Sequence, residues 1–123
     1  MAANVTNTTK IKLTRGRPTQ LGTVTNQNDA VQFTISEPTR DHQGVLAFQF
    51  VGGTTPTAKM EFSLDGGNTF TDIAFTAVAT ADFGDTAATQ AGPVTVSGLG
   101  GATFRLGRTD TLGGAATVWA LVG

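Results

Sequence analysis

Few side chains in this sequence could do chemistry, and they are scattered. The one histidine, His42, stands in a polar run, Ser36-Glu37-Pro38-Thr39-Arg40-Asp41-His42-Gln43-Gly44. With no second histidine and no cysteine, it has no partners for a metal site. No nucleophile elbow accompanies it to make use of a base. His42 therefore reads as a solvated loop residue, next to an Arg40–Asp41 pair that is worth little on a surface. Acid–base hydrolysis needs two carboxylates, and the pair best placed by spacing is Glu61 and Asp72, which flank a hairpin and can approach across it. An exposed cross-strand pair is the commoner outcome of that spacing. Asp82 and Asp85 lie three apart in residues 80–92, but the dense oxygen-ligand spacing of a calcium loop is missing. Four Gly-Gly pairs, at 52–53, 66–67, 100–101 and 113–114, sit beside strands. None leads from a strand into a helix or precedes the Lys-Ser/Thr of a phosphate loop, so they read as turns. We therefore expect no enzyme, no cofactor and no metal. Turnover abolished by Glu61→Gln or Asp72→Asn would contradict that.

The elements that would position these residues are strands. Met60, Phe62 and Leu64 alternate with Glu61 and Ser63, which assigns three apolar side chains to one sheet face. Asp65-Gly66-Gly67-Asn68 supplies the residues that tolerate a tight hairpin loop. Beyond it Ile73 and Phe75 share a face, whereas Phe70 has the opposite parity. Phe70 either points outward or is re-phased by a bulge near Thr71-Asp72, and we expect the bulge. Val31, Phe33 and Ile35 alternate with Gln32 and Thr34. In Val45–Val51, Leu46, Phe48 and Phe50 take one side and Val45, Ala47 and Val51 the other, interrupted only by Gln49. The closing strand, Ala115–Val122, sets Trp119 and Leu121 against Val118, Ala120 and Val122. A strand apolar on both faces is central or lends one face to a subunit interface. Pro93–Ser97 and Thr103–Leu106 alternate around Gly98-Leu99-Gly100-Gly101 and are predicted to form a second hairpin, with Arg105 and Arg108 facing away from Phe104 and Leu106. Residues 80–92 have no period and are expected to cross between sheets or contact a partner. Phe83 within them is either a plug on the core or a contact anchor.

The 123 residues suit one domain. Threonine and glycine are abundant, β-branched residues are frequent and long helical patterns are missing, which favours an all-β fold. Short strands punctuated by glycine turns predict a single antiparallel β-sandwich or jelly roll of about eight strands. Without cysteine, packing or association must hold the fold. The N-terminus shows no signal-peptide pattern, so export by one is not expected, and no apolar run reaches the ~18 residues of a membrane span.

Net charge is −1 but unevenly spread. Lys10, Lys12, Arg15 and Arg17 precede the first acid, Asp29; the other four cations are set against all nine acids. Residues 1–17 are thus predicted as a basic arm, its first nine residues flexible, and residues 18–123 as the acidic β-sandwich domain. Lys10–Thr14 within the arm alternates as an edge strand. A basic arm on an acidic body suits contact with an acidic protein surface, a neighbouring copy included. With no aromatic residue in the arm to stack bases and little charge, nucleic-acid binding is not expected.

Ser63-Leu64-Asp65-Gly66-Gly67-Asn68-Thr69-Phe70 resembles the Asp-box, Ser-x-Asp-x-Gly-x-Thr-Trp/Phe, at every fixed position. The resemblance implies that Ser63, Asp65, Gly67 and Thr69 tie the turn together, with Phe70 packed beneath it. Its role is structural, and its single occurrence does not imply a repeating propeller. The chain as a whole resembles small virion proteins of tailed bacteriophages. That likeness rests on the Met-Ala start, the lack of cysteine, the Thr/Ala/Gly richness, the Ser-Leu-Asp-Gly-Gly hairpin and the closing Ala-Thr-Val-Trp-Ala-Leu-Val strand. It implies a head decoration or cement protein, commonly a trimer, assembled in the host cytoplasm onto the capsid surface. The partners would be the major capsid protein and neighbouring copies, reached through Lys10, Lys12, Arg15, Arg17 and Phe83. The other role found in that class is a tail, fibre or adsorption module that binds cell-surface glycans.

Overall fold

The computed structural model describes residues 4–7, 11–14, 16–35, 45–52, 56–73, 77–78, 88–95 and 102–122. They form eleven strands: β1 (Asn4–Val5), β2 (Ile11–Leu13), β3 (Thr19–Val24), β4 (Asp29–Ile35), β5 (Val45–Val51), β6 (Ala58–Ser63), β7 (Thr71–Ile73), β8 (Ala77–Val78), β9 (Ala88–Thr95), β10 (Thr103–Arg108) and β11 (Ala116–Val122). No helix occurs among the described residues. The first sheet runs β1-β4-β10-β6-β7, with β2 also on β4, and the second runs β3-β11-β5-β9-β8. Pairing is antiparallel except where β1 and β2 lie parallel to β4. The fold is thus the expected all-β sandwich-like domain, with a parallel edge that strand alternation alone does not foretell.

Period-two patterning decides what each sheet buries. Val31, Phe33 and Ile35 of β4 face Leu46, Phe48 and Phe50 of β5 and Val118, Ala120 and Val122 of β11 in one continuous core. Cross-strand register stacks Phe33 on Phe104, with ring centroids 5.4 Å apart. Such stacked pairs add ~0.5–1.5 kcal/mol beyond their burial. Gly107 is needed where β10 meets β4, because a Cβ there would lie 2.8 Å from the Asp29 carbonyl oxygen.

Three expectations change. β9 and β10 belong to different sheets, so residues 93–106 are not a hairpin; alternation reports a strand's faces but not its partner. Ala88–Gly92, read as part of a connection, belongs to β9, where pairing with β5 includes a register shift between Leu46 and Phe48. Arg108 does not face away from Phe104 and Leu106. It shares their parity and its side chain is fully buried.

The described residues of the 1–17 segment are not set apart from the sandwich. β1 and β2 line the open edge of β4, and Leu13 is fully buried in the core. Asn4–Asn7 are tied down by their side chains: the Asn7 amide donates to the Gln32 carbonyl at 2.7 Å while its oxygen accepts the Gln32 N–H at 2.9 Å, replacing a strand residue. Thr6 Oγ1 donates to the Thr23 carbonyl at 2.7 Å. The polar composition read as flexibility is what satisfies this edge.

Arg108 fastens one end of the sandwich. Its Nε and Nη2 grip both Asp110 oxygens at 3.1 and 2.6 Å. Nη1 donates to Gly114 O at 2.6 Å and Val24 O at 3.4 Å, and Nη2 also donates to Gly113 O at 3.3 Å. Asp110 accepts the Thr57 N–H as well. Nearby, Asp29 accepts N–H bonds from Thr25 and Asn26 and a side-chain bond from Asn4. Burial pushes both carboxyls up, but these hydrogen bonds and the Arg108 charge outweigh it and hold both below the ordinary range.

Removing one partner of a buried ion pair strands the other, at a cost of ~3–5 kcal/mol. We expect Arg108→Met to lose about that much in denaturant unfolding, and Arg108→Met with Asp110→Leu to recover part of it. Because the folded-state pKa values of Asp29 and Asp110 are depressed, their stabilisation is complete above the ordinary carboxylate value and is lost as pH falls through the folded values. The thermal midpoint should therefore drop below about pH 4, and less steeply in the double variant, which lacks Asp110.

Candidate docking face

The two outer sheet faces differ in kind. On the first, register sets Glu61 opposite Arg105 on one side and Asp72 on the other. Arg105 Nη2 lies 3.0 Å from Glu61 Oε1, and Lys59 Nζ lies 3.8 Å from Glu61 and 3.6 Å from Asp72. The two carboxylates best placed by spacing are thus each held against a cation. The Arg105 guanidinium also covers the Phe70 ring, 3.7 Å from its centroid. Phe70 therefore points outward, and the expected bulge is not there: β6 and β7 pair without a break from Met60–Ile73 to Phe62–Thr71.

The turn joining β6 to β7 is closed by its own side chains. Asp65 Oδ1 accepts from Ser63 Oγ at 2.7 Å, from Asn68 N at 3.0 Å and from Thr69 N at 2.9 Å. Ser63 Oγ in turn accepts the Gly67 N–H at 2.9 Å, and Asn68 Nδ2 donates to the Asp65 carbonyl at 2.9 Å. Gly66 and Gly67 both take positive φ, 80° and 98°, which a side chain would strain. The Ser63 hydroxyl and the Thr69 donors hold the Asp65 carboxyl far below its ordinary value. Leu64 does not join Met60 on the core side. It leaves the sheet at the start of the turn and is 75% exposed.

The second outer face is apolar at its centre. β5 and β11 pair so that Trp119 lies opposite Gln49, and Leu121 opposite Ala47. These four, with Pro18, line an open groove of about 330 Å³. Pro18 arrives there because the Gly16 N–H donates to the Val122 carbonyl at 2.7 Å, which lays residues 16–18 along the end of β11. Trp119 is 37% exposed and Val51, on the same strand pair, 40%. Gln49 is the single polar side chain in this lining.

Of the residues singled out from sequence, Arg17 is exposed, one residue before the groove-lining Pro18, and Lys12 is exposed on β2. Lys10, Arg15, Phe83, His42, Asp82 and Asp85 lie outside the described residues. Sequence reading missed Pro18 as a groove wall, which nothing in its local pattern signals. It also missed the burial of Arg108, which the shared parity of 104, 106 and 108 does signal. Among the described residues no group of three or more His, Cys, Asp or Glu side chains could hold a metal ion. The groove offers one amide and one indole among aliphatic side chains, a composition suited to contact that excludes water.

Comparison with protein-family models, curated proteins and solved structures found no match to this chain.

The turn and the groove separate by mutation. Asp65→Ala removes the acceptor of three donors and should lower the thermal midpoint, whereas Leu64→Ala should leave it unchanged, both read by differential scanning calorimetry. Because the Asp65 carboxyl is depressed on folding, its contribution is present above about pH 4 and lost on acidification. Asp65→Ala should therefore also flatten the acid limb.

Proposed function

We propose that this protein is a non-enzymatic virion structural protein, a decoration or cement protein that stabilises a phage head. It would bind between capsid subunits and against neighbouring copies at the capsid surface, after assembly in the host cytoplasm. The observation that carries the reading is the apolar groove of the second sheet. A free-standing sandwich gains nothing from holding Trp119, Leu121, Ala47 and Pro18 on an outer face. A partly exposed tryptophan among aliphatic side chains is the composition of an interface centre. Arg17, exposed and next in sequence to Pro18, would supply a cationic rim suited to an acidic subunit surface, and rim charges set partner choice and association rate more than affinity. The resemblance to phage virion proteins names the partner class, and a homotrimer over a capsomer junction is the arrangement it favours.

A tail or adsorption role that binds glycans is the second reading. One observation favours it: Trp119 and Gln49 together offer a stacking surface beside an amide. The remaining lining offers a sugar no further side-chain hydrogen bond.

Co-sedimentation with shells of the particle that encodes the chain tests this. Wild-type protein should bind at a fixed copy number per capsomer. Trp119→Glu should weaken binding at least tenfold with the fold intact by circular dichroism, and Arg17→Glu should reduce both binding and its salt dependence. Deleting residues 1–17 is not a clean test, because it removes Leu13 from the core. Failure to bind shells, or specific capture on a glycan array that Trp119→Glu abolishes, would favour the second reading.

A further inference from the structure

The groove has a matching feature on the same molecule. Leu64 is the most exposed large apolar residue described, at 75%, and it stands on a turn whose shape is fixed by the Asp65 and Ser63 hydrogen bonds. A rigid knob loses little freedom on docking. Acids flank it. Asp65 lies next to it in the turn, and Asp72, on the returning strand, has a side chain that is 72% exposed. The groove has an apolar floor, and the exposed Arg17 directly precedes its wall residue Pro18. The two features cannot meet within one molecule. The turn packs over the outer face of the first sheet, where Phe70 lies under Arg105 and a Cβ on Gly67 would come 4.0 Å from Gln32 Nε2. The groove opens on the outer face of the second sheet.

We propose that the groove is the socket for the Leu64 turn of a second copy of this chain. Leu64 would seat against Trp119, Ala47 and Leu121, and Asp72 and Asp65 would face Arg17. Knob and socket lie on opposite sides of the sandwich, so the contact is head-to-tail and every copy offers both halves. Such a contact builds a ring where its rotation closes and a filament where it does not. This assignment rests on the reading of the groove as a protein-docking surface and commits it to one occupant. A turn seated in a shallow groove buries less than the ~800 Å² per partner of a standard stable interface. Self-association is therefore weak, rises with concentration and falls with salt. The Lys59–Asp72 pair does not prevent it, since an exposed pair at 3.6 Å is readily exchanged.

The test is sedimentation velocity on the full chain across a concentration series at low and high salt. Wild-type protein should gain mass with concentration, and less so at high salt. Leu64→Lys, which destroys the knob, and Ala47→Glu, which fills the socket with a like charge, should each stay monomeric while unfolding thermally near the wild-type midpoint. Mixed in equal amounts they should form a dimer and nothing larger, because one intact knob and one intact socket remain between them. Arg17→Glu should weaken association about threefold to tenfold, and adding Asp72→Lys in the same chain should restore it. A wild-type protein that stays monomeric, association that survives Leu64→Lys, or a mixture that stays monomeric would each overturn the assignment. Shell binding by a strictly monomeric protein would overturn this inference alone and leave the docking role standing. Self-association without shell binding would support it and count against the capsid reading.

Discussion

The arrangement hinges on a guanidinium that has no access to water. Arg108 carries five N–H donors, and its fully buried side chain must find an acceptor for each inside the protein. It finds them in Asp110, Val24, Gly113 and Gly114. Those acceptors come from the end of β3 and from the segment that leads into β11, so one side chain of the first sheet pins two strands of the second. The Arg108 backbone adds to this by accepting the Asn28 N–H at 2.9 Å. A buried ion pair is a poor source of net stability, since desolvation offsets most of its attraction. What it does supply is selectivity. Alternative registers of β10 would leave the charge without its five acceptors, at a cost of several kcal/mol.

That constraint sets the relative placement of everything outside the core. With β10 fixed, its odd-numbered residue Arg105 must face outward between β4 and β6, where it meets Glu61 and covers Phe70. The first sheet's outer face is thereby closed by charges that satisfy one another. Among the described residues, the second sheet shows no comparable lattice of ion pairs. Its central strands were apolar on both sides in the sequence, and the fold uses only one side. Leu46, Phe48, Phe50, Val118, Ala120 and Val122 fill the core, while Trp119, Leu121, Ala47 and Val51 remain on the outside. In the proposed docking role, this surplus apolar face is the surface that would meet a neighbour.

How much of this was legible follows from the range of each interaction. Strand alternation is local, so the faces of β4, β5, β6 and β11 could be read directly from Val31-Phe33-Ile35 and its counterparts. The Asp-box turn is also local, spanning eight residues, and its Asp65 and Ser63 bonds fall where the motif implies. Pairing is not local. Nothing between Pro93 and Leu106 says that β9 and β10 leave for different sheets, and nothing in the polar stretch from Asn4 to Asn7 says that β1 will pair with β4 or that the Asn7 amide will stand in for the next strand residue. The basic segment looked separable for the same reason. Leu13, which is fully buried, is surrounded in sequence by lysines and arginines, and only the pairing of β1 and β2 with β4 and the Gly16 bond to Val122 show that the segment is built in. Phe70 was misjudged by a different error: an exposed aromatic was treated as a fault to be removed by a bulge, when a cation three strands away in sequence order supplies its cover.

Leu64 shows how the local and non-local parts combine. Its parity matches Met60 and Phe62, and in a longer strand it would be buried. Ser63 ends that possibility. Its hydroxyl donates to Asp65 and accepts from Gly67, so the chain must turn at residue 64 and the leucine is carried outside. Leaving it there forgoes ~2 kcal/mol that burial would have supplied. Serine or threonine at this position would form the same turn without that loss, because the motif leaves it free. A leucine fixed on a rigid acidic turn and an unfilled apolar groove beside an arginine are each unfavourable for an isolated molecule. In the proposed head-to-tail contact each would be covered by the other.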